Sequence, residues 1–286
     1  MFRQMPIALA HIYRYPVKGL APEVIDTVLL QPDQGLPLDR RFGIARGDSK
    51  LDPAAPRWRP KEWFVMLMRD TALARVGCRL IPERNSIELQ APGKPPCVAR
   101  FDTADGRRII EAYVNDLLGQ RREGPARWIE ASDVSFTDVP HNCLSLINLE
   151  SVRELEARMD AALNPLRFRA NLYIDGAPPW AEFDWVGREI EIGEARLRVA
   201  TRIPRCAATA VNPETGERDV NIVKGLRAAY GHYDMGVYAE VVQGGTLRVG
   251  DSLTPPSDPR SRSRLGNWLR FVRFLARAAP TVLRQR

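Results

Sequence analysis

No apolar run in the middle of this chain goes far before a glycine or a proline stops it. Between residues 63 and 101 the breaks fall at Gly77, Pro82, Pro92-Gly93 and Pro95-Pro96. The stretches between them are long enough for strands and too short for helices of several turns. The pattern repeats at 9–15, 24–30, 38–44, 127–131, 189–192, 195–199, 237–242 and 247–249. Asp105-Gly106 reads as a hairpin turn joining 98–101 to 108–113, and Gly193-Glu194 as a second one. One helix stands out. Asn148 is placed to cap it, its apolar face is Leu149, Val152, Leu155, Met159 and Leu163, Glu154 and Arg158 form an outer i,i+4 pair, and Pro165 follows its end. Many short strands with few helices predict a β-rich α+β fold with a barrel-like body. Fading periodicity near 115–125 divides it into an N-terminal β-rich domain, 1–120, and a barrel domain, 121–254. A basic linker and amphipathic helix, 255–286, complete the chain.

With 286 residues, 44% of them hydrophobic, the chain can bury a large core. Cys78, Cys97, Cys143 and Cys206 are far apart and form no Cys-x-x-Cys pair, which argues against a disulfide framework or structural zinc. Neither a secretory leader nor a spanning segment is legible, so the expected location is cytoplasmic. The net charge of +7 lies in the tail. Residues 256–286 hold eight Arg and one acid, Asp258, and the rest is balanced, so nucleic acid is not expected as a partner. Within 264–284, Leu265, Trp268, Leu269, Val272, Leu275, Ala276 and Ala279 line one helical face, with Arg270, Arg273 and Arg277 opposite. Such a helix lies peripherally on an anionic membrane, docks on a partner, or folds back on its own body.

Cys206 sits on a connection between the 195–200 run and the Asn212-Pro-Glu-Thr-Gly216 turn, flanked by Arg202 and Arg205. Nearby cations favour a thiolate, which serves as nucleophile or soft-metal ligand; a buried structural cysteine is the competing reading. Lys18, Arg40, Arg41, Arg169 and Asn171 fall at strand ends or turns without an evident packing need, as an anion such as a phosphate would require. His141, with Asp138 and Ser145, and His232 with Tyr233 are further candidates for lining a cleft. Cys78 and Cys97 read as packing residues, and so does Cys143, because neighbouring His141 and Cys143 side chains do not form a convincing nucleophile pair.

Five ordered motifs carry a resemblance. They are Ile12-Tyr-Arg-Tyr-Pro-Val-Lys-Gly19, Leu38-Asp-Arg-Arg-Phe42, Arg167-Phe-Arg-Ala-Asn171, Pro204-Arg-Cys206 with Val211-Asn-Pro-Glu-Thr-Gly216, and Gly245-Thr-Leu-Arg-Val-Gly-Asp251. In this order the chain resembles the MOSC-domain family with its N-terminal β-barrel partner domain, which includes the mitochondrial amidoxime-reducing component and the C-terminal part of molybdenum cofactor sulfurases. The resemblance implies a MOSC β-barrel and a molybdopterin-type molybdenum cofactor. Its metal would be held by Cys206, also the catalytic centre, and its phosphate by Lys18, Gly19, Arg41, Arg169 and Asn171 with Arg40 as helper. Family members are also associated with pyridoxal phosphate. The implied activity is reduction of N-hydroxylated small molecules; a sulfur or cofactor carrier working through Cys206 without turnover is the alternative. Gly19 stands where many relatives have Ser, and Ala170 where they commonly have Pro. No cysteine follows Cys206, so electrons would come from a separate donor protein.

Overall fold

In the computed structural model the structure describes residues 6–53, 56–131 and 135–256. The amphipathic segment expected at 264–284 lies outside them.

An eight-stranded sheet organises the molecule. From one edge to the other it runs Leu253–Thr254, Glu189–Ile192, Ala195–Pro204, Asp234–Gln243, Leu144–Asn148, Leu172–Asp175, Ala8–Arg14 and Glu23–Ile25. Every neighbouring pair is antiparallel except Leu144–Asn148 with Leu172–Asp175. A parallel pair needs a crossover, and the helix Leu149–Met159 supplies it. Its cap is as expected, with Asn148 accepting from the Glu150 N–H at 3.1 Å. The hairpin about Gly193-Glu194 is also present. Side chains alternate across the sheet. Leu172 and Ile174 enter one core with Leu9, Ile12, Leu197 and Val237, while Tyr173 enters another with Val152, Leu155, Phe168 and Leu226. The sheet-rich α+β class is therefore correct, but among the described residues the sheet has two open edges and does not close into the expected barrel.

The first half of the chain is not a separate layer. Its strand Ala8–Arg14 lies inside the large sheet, and Thr27–Leu30 pairs with Gly245–Arg248. What reads as one strand at 24–30 is two, Glu23–Ile25 and Thr27–Leu30. Phe42–Ala45 pairs with Arg127–Glu130, and Gly77–Ile81, Ser86–Gln90 and Cys97–Arg100 form a small meander.

The hairpin expected at Asp105-Gly106 is instead the first turn of a helix, Ala104–Leu118. Thr103 caps it, accepting from the Gly106 N–H at 3.1 Å, and Ile110 and Val114 bury its inner face against the meander. Gly106 serves close approach rather than a turn, since a Cβ there would lie 1.9 Å from the Arg100 carbonyl oxygen. A second helix, Ile222–Tyr230, also goes beyond the sequence reading. No helix among the described residues is long and apolar enough to cross a membrane.

Candidate functional site

The strand Ala8–Arg14 ends in a turn that carries Lys18 back against the segment 39–42. The Tyr15 N–H donates to Asp39 Oδ1 at 2.8 Å, the Lys18 N–H to the Phe42 carbonyl at 2.8 Å, and the chain leaves through Gly19 at φ +95°. That φ is open to glycine and strained for other residues. Lys18 Nζ donates to the Phe136 carbonyl at 2.8 Å and to Asp138 Oδ1 at 2.6 Å, and lies 5.7 Å from the Phe64 ring centroid.

Two guanidiniums share the ring of Tyr15, which is fully buried. Arg40 Cζ is 4.2 Å and Arg169 Cζ 4.4 Å from its centroid. Both residues have positive φ, +47° and +52°, so each side chain leaves the direction a regular strand would impose. Arg40 is compensated: it donates to Asp39 Oδ2 at 2.6 Å and to the Arg169 carbonyl at 2.7 Å. Burial alone would lower its pKa, but Asp39 and Tyr15 outweigh burial and the net shift is upward. Arg169 is not compensated, and its side chain has no hydrogen bond or ion pair among the described residues. Burial, with Arg40 adding to it, lowers its pKa despite the opposing effect of Tyr15.

Cys206 follows the strand Ala195–Pro204 and caps the short 3-10 turn Ala207–Ala210. Its carbonyl accepts from the Thr209 N–H at 3.1 Å and hydroxyl at 2.9 Å. The thiol is half-buried, not sealed. Downstream, Val211 and Ala208 pack into the core of the first half of the chain, beside Leu73 and Val76. Lys61 reaches the same place from the polar loop 47–62. Burial pulls its pKa down, but Cys206, through charge and a side-chain hydrogen bond, and Asp138 outweigh burial and raise it. Asp138 is held far below the usual carboxylate range by Lys18, against desolvation, with Lys61 and Arg40 adding to the effect. Its carboxylate is nonetheless 58% exposed, so it lies in an open crevice where water weakens these interactions. Lys18, Asp138, Lys61 and Cys206 thus form one continuous cluster. Sequence reading passed over Lys61, which looks like any other cation in a polar loop. Its position depends on long-range backbone contacts, including the Val65 N–H to Ile44 carbonyl bond at 2.8 Å.

Other candidates face elsewhere. Arg41 pairs with Glu130 Oε1 at 3.0 and 2.8 Å and is partly exposed. Asn171 is 2% exposed and turned into the sheet. Its Oδ1 accepts from Ser145 N–H and Oγ at 3.1 and 2.9 Å, and its Nδ2 donates to the Tyr13 carbonyl at 3.2 Å. Arg205 clamps the carbonyls of Met235 and Phe168, and Arg202 stacks on Phe183 at 4.3 Å. Lys61 thus joins Arg205 as a cation near the thiol, while Arg202 is turned toward Phe183. Cys78, Cys97 and Cys143 are buried, and burial pushes the Cys143 thiol up to about 12, so these three are packing residues. A cleft of about 320 Å³ opens at Arg169 between the two halves of the chain, lined also by Arg167, Leu67, Tyr13, Val211 and Glu214. Neither Cys206 nor Lys18 lines it.

The MOSC domain family model matches residues 133–254, which include Arg169 and Cys206. Mitochondrial amidoxime-reducing component 1 of Mus musculus is 32% identical over 167 residues, covering 54% of this chain and 48% of that protein. Molybdenum cofactor sulfurase of Homo sapiens is 22% identical over 291 residues, covering 87% of this chain and 32% of that protein. The chain thus spans between a third and a half of the length of these curated relatives. The YUAD protein from Bacillus subtilis aligns with a TM-score of 0.40 at 13% identity, over 88% of this chain and 97% of that chain. Residues 133–254 thus match the MOSC domain, and the chain is similar to the amidoxime-reducing components and the molybdenum cofactor sulfurases.

Proposed function

We propose that this chain binds a molybdopterin-type molybdenum cofactor and acts as an oxidoreductase that reduces N-hydroxylated small molecules, with electrons from a separate donor protein. The observation that carries this reading is Arg169, a half-buried guanidinium with no ion pair among the described residues, which feels Arg40 and Asp138 of the cluster that reaches the half-exposed Cys206. An uncompensated cation of this kind favours an anionic ligand, and a thiolate suits a soft metal. Cys206 would hold the metal, and Lys18, the Gly19 backbone N–H and Arg169 the phosphate, with Arg40 behind them. The cofactor supplies two-electron redox chemistry at its metal when bound.

The protein's own residues prepare that site. Asp138 neutralises Lys18, so an entering anion competes with this carboxylate. Lys61 keeps a positive charge beside Cys206. Asn171 contributes by tying the strand ends at Tyr13 and Ser145 together, which fixes the approach of Arg169. Arg41 would join the phosphate grip only by leaving Glu130.

Molybdenum and pterin content of purified wild type beside Cys206→Ser tests the assignment. Metal in the wild type and its loss in the variant are expected; equal molybdenum in both would overturn it. A carrier function remains the second reading, favoured by the molybdenum cofactor sulfurase homologues and by the accessible thiol. Reduction of a simple amidoxime by the metal-loaded protein with an artificial donor selects the enzyme; loaded protein without turnover selects the carrier.

A further inference from the structure

A second concavity, of about 460 Å³, lies outside the cluster just described and shares no lining residue with it. Its wall is aromatic. Trp180 and Tyr230 have ring centroids 4.5 Å apart, Phe183 and His232 5.7 Å, and Tyr230 and His232 are stacked at 5.9 Å. Arg202, exposed on its strand, places its guanidinium 4.3 Å from the Phe183 centroid. Four flat rings around one cavity select a flat guest.

Donors dominate the polar groups. Arg202 offers only N–H groups. His232 Nδ1 accepts the Asp234 N–H at 3.2 Å, which leaves Nε2 as the N–H of the neutral ring. Behind the wall, Trp180 Nε1 and Tyr230 Oη are closed off from solvent and form no hydrogen bond of acceptable geometry. Among the lining residues the opposing carboxylate is Asp184. Trp180 also has φ +66°, a backbone strain that a bulky residue holds only where its surroundings demand it. The ring packs against both buried cores, and its backbone N–H is held by Ser151 Oγ at 2.8 Å.

We propose that this bowl is a binding site for a planar aromatic anion of the aryl carboxylate class, its ring against Trp180, Tyr230 and His232 and its carboxylate on Arg202. The site does not depend on the cofactor assignment. It does adjoin the thiol along the chain: Arg202 lies four residues before Cys206, and the Arg205 N–H donates to the Tyr233 carbonyl at 2.9 Å, next to His232. A guest here would sit at the same strand end as Cys206.

The test uses fluorine NMR titration of the full chain with 4-fluorobenzoate, 4-fluorobenzamide and 4-fluorobenzamidinium, which share a shape and differ in charge. Saturable binding is expected, tightest for the carboxylate and weakest for the amidinium. Arg202→Gln should weaken the carboxylate about tenfold, to the level of the amide. Trp180→Gly removes a ring while relieving the backbone, and should abolish binding of all three. Arg169→Gln should leave the carboxylate affinity unchanged. Absence of saturable binding, tightest binding of the amidinium, or loss of carboxylate binding in Arg169→Gln with retention in Arg202→Gln would each overturn the proposal.

Discussion

Arg169, half-buried at a cleft, and Glu182, fully buried, are both ionisable groups without an opposite charge bonded to them, and the protein treats them differently. Glu182 is fully buried beneath the aromatic bowl. It accepts from Ser151 Oγ at 2.9 Å and Asn148 Nδ2 at 3.2 Å, both neutral donors. Desolvation outweighs those bonds and pushes its pKa up to about 7. A carboxylate in that position can take up a proton and become neutral. A guanidinium cannot be deprotonated under ordinary conditions, so the charge at Arg169 persists until something anionic meets it. The contrast separates a structural use of an ionisable group from the binding use proposed for Arg169.

The largest effect expected from this contrast is at Glu182. Its folded-state pKa is raised above the ordinary 4.5. Its contribution is therefore fully present below about 4.5 and is lost as pH rises through about 7, a difference of roughly 3 kcal/mol. Glu182→Gln keeps the acceptor and removes the titration. Denaturant unfolding between pH 5 and 9 should show the variant more stable at high pH and with a flatter profile. An unchanged profile would place Glu182 on the structural side for a reason other than desolvation.

The next effect has opposite signs at two nearby cations. Arg169→Met removes a surplus half-buried charge and should stabilise the protein by about 1 kcal/mol while abolishing the binding of inorganic pyrophosphate expected at the proposed site. Lys18→Met leaves Asp138 without its ammonium and should destabilise by about 1 kcal/mol, an amount kept small because water reaches that carboxylate. Thermal unfolding with and without pyrophosphate reads both, and equal signs would collapse the distinction between the compensated and uncompensated cations. The smallest effect is expected at Arg41→Gln, which breaks a partly exposed pair with Glu130. Under about 0.5 kcal/mol of stability should be lost, with pyrophosphate affinity unaltered. A large loss of affinity there would show that Arg41 leaves Glu130 to join the ligand.

Local signals accounted for what could be read from the sequence. Period-two runs placed the strand Ala8–Arg14, the meander between Gly77 and Arg100, and the hairpin about Gly193-Glu194, while Asn148 with its three-four spacing placed the helix that follows. The helix Ala104–Leu118 was hidden because Asp105-Gly106 resembles a turn, and because the need for Gly106 comes from the Arg100 backbone packed against it. Site geometry was harder for the same reason. Motif order marked Lys18, Arg169 and Cys206, but adjacent Arg40 and Arg41 are sorted only by the positive φ at Arg40, and Lys61 reaches Cys206 through backbone pairing remote from it in sequence. Sheet closure was likewise invisible, since it depends on strand order and not on where strands occur.

The place of Ala8–Arg14 inside the large sheet bears on how the protein is made. Its neighbour on one side, Glu23–Ile25, is synthesised almost at once, but Leu172–Asp175 on the other side comes some 160 residues later. At ordinary translation speeds of about 5–20 residues per second, that apolar edge waits on the order of ten seconds or more for its second partner. Nascent chains are therefore most vulnerable to mispairing before the ribosome has passed Asp175, and a chaperone acting during that interval would have the first strand as its natural client.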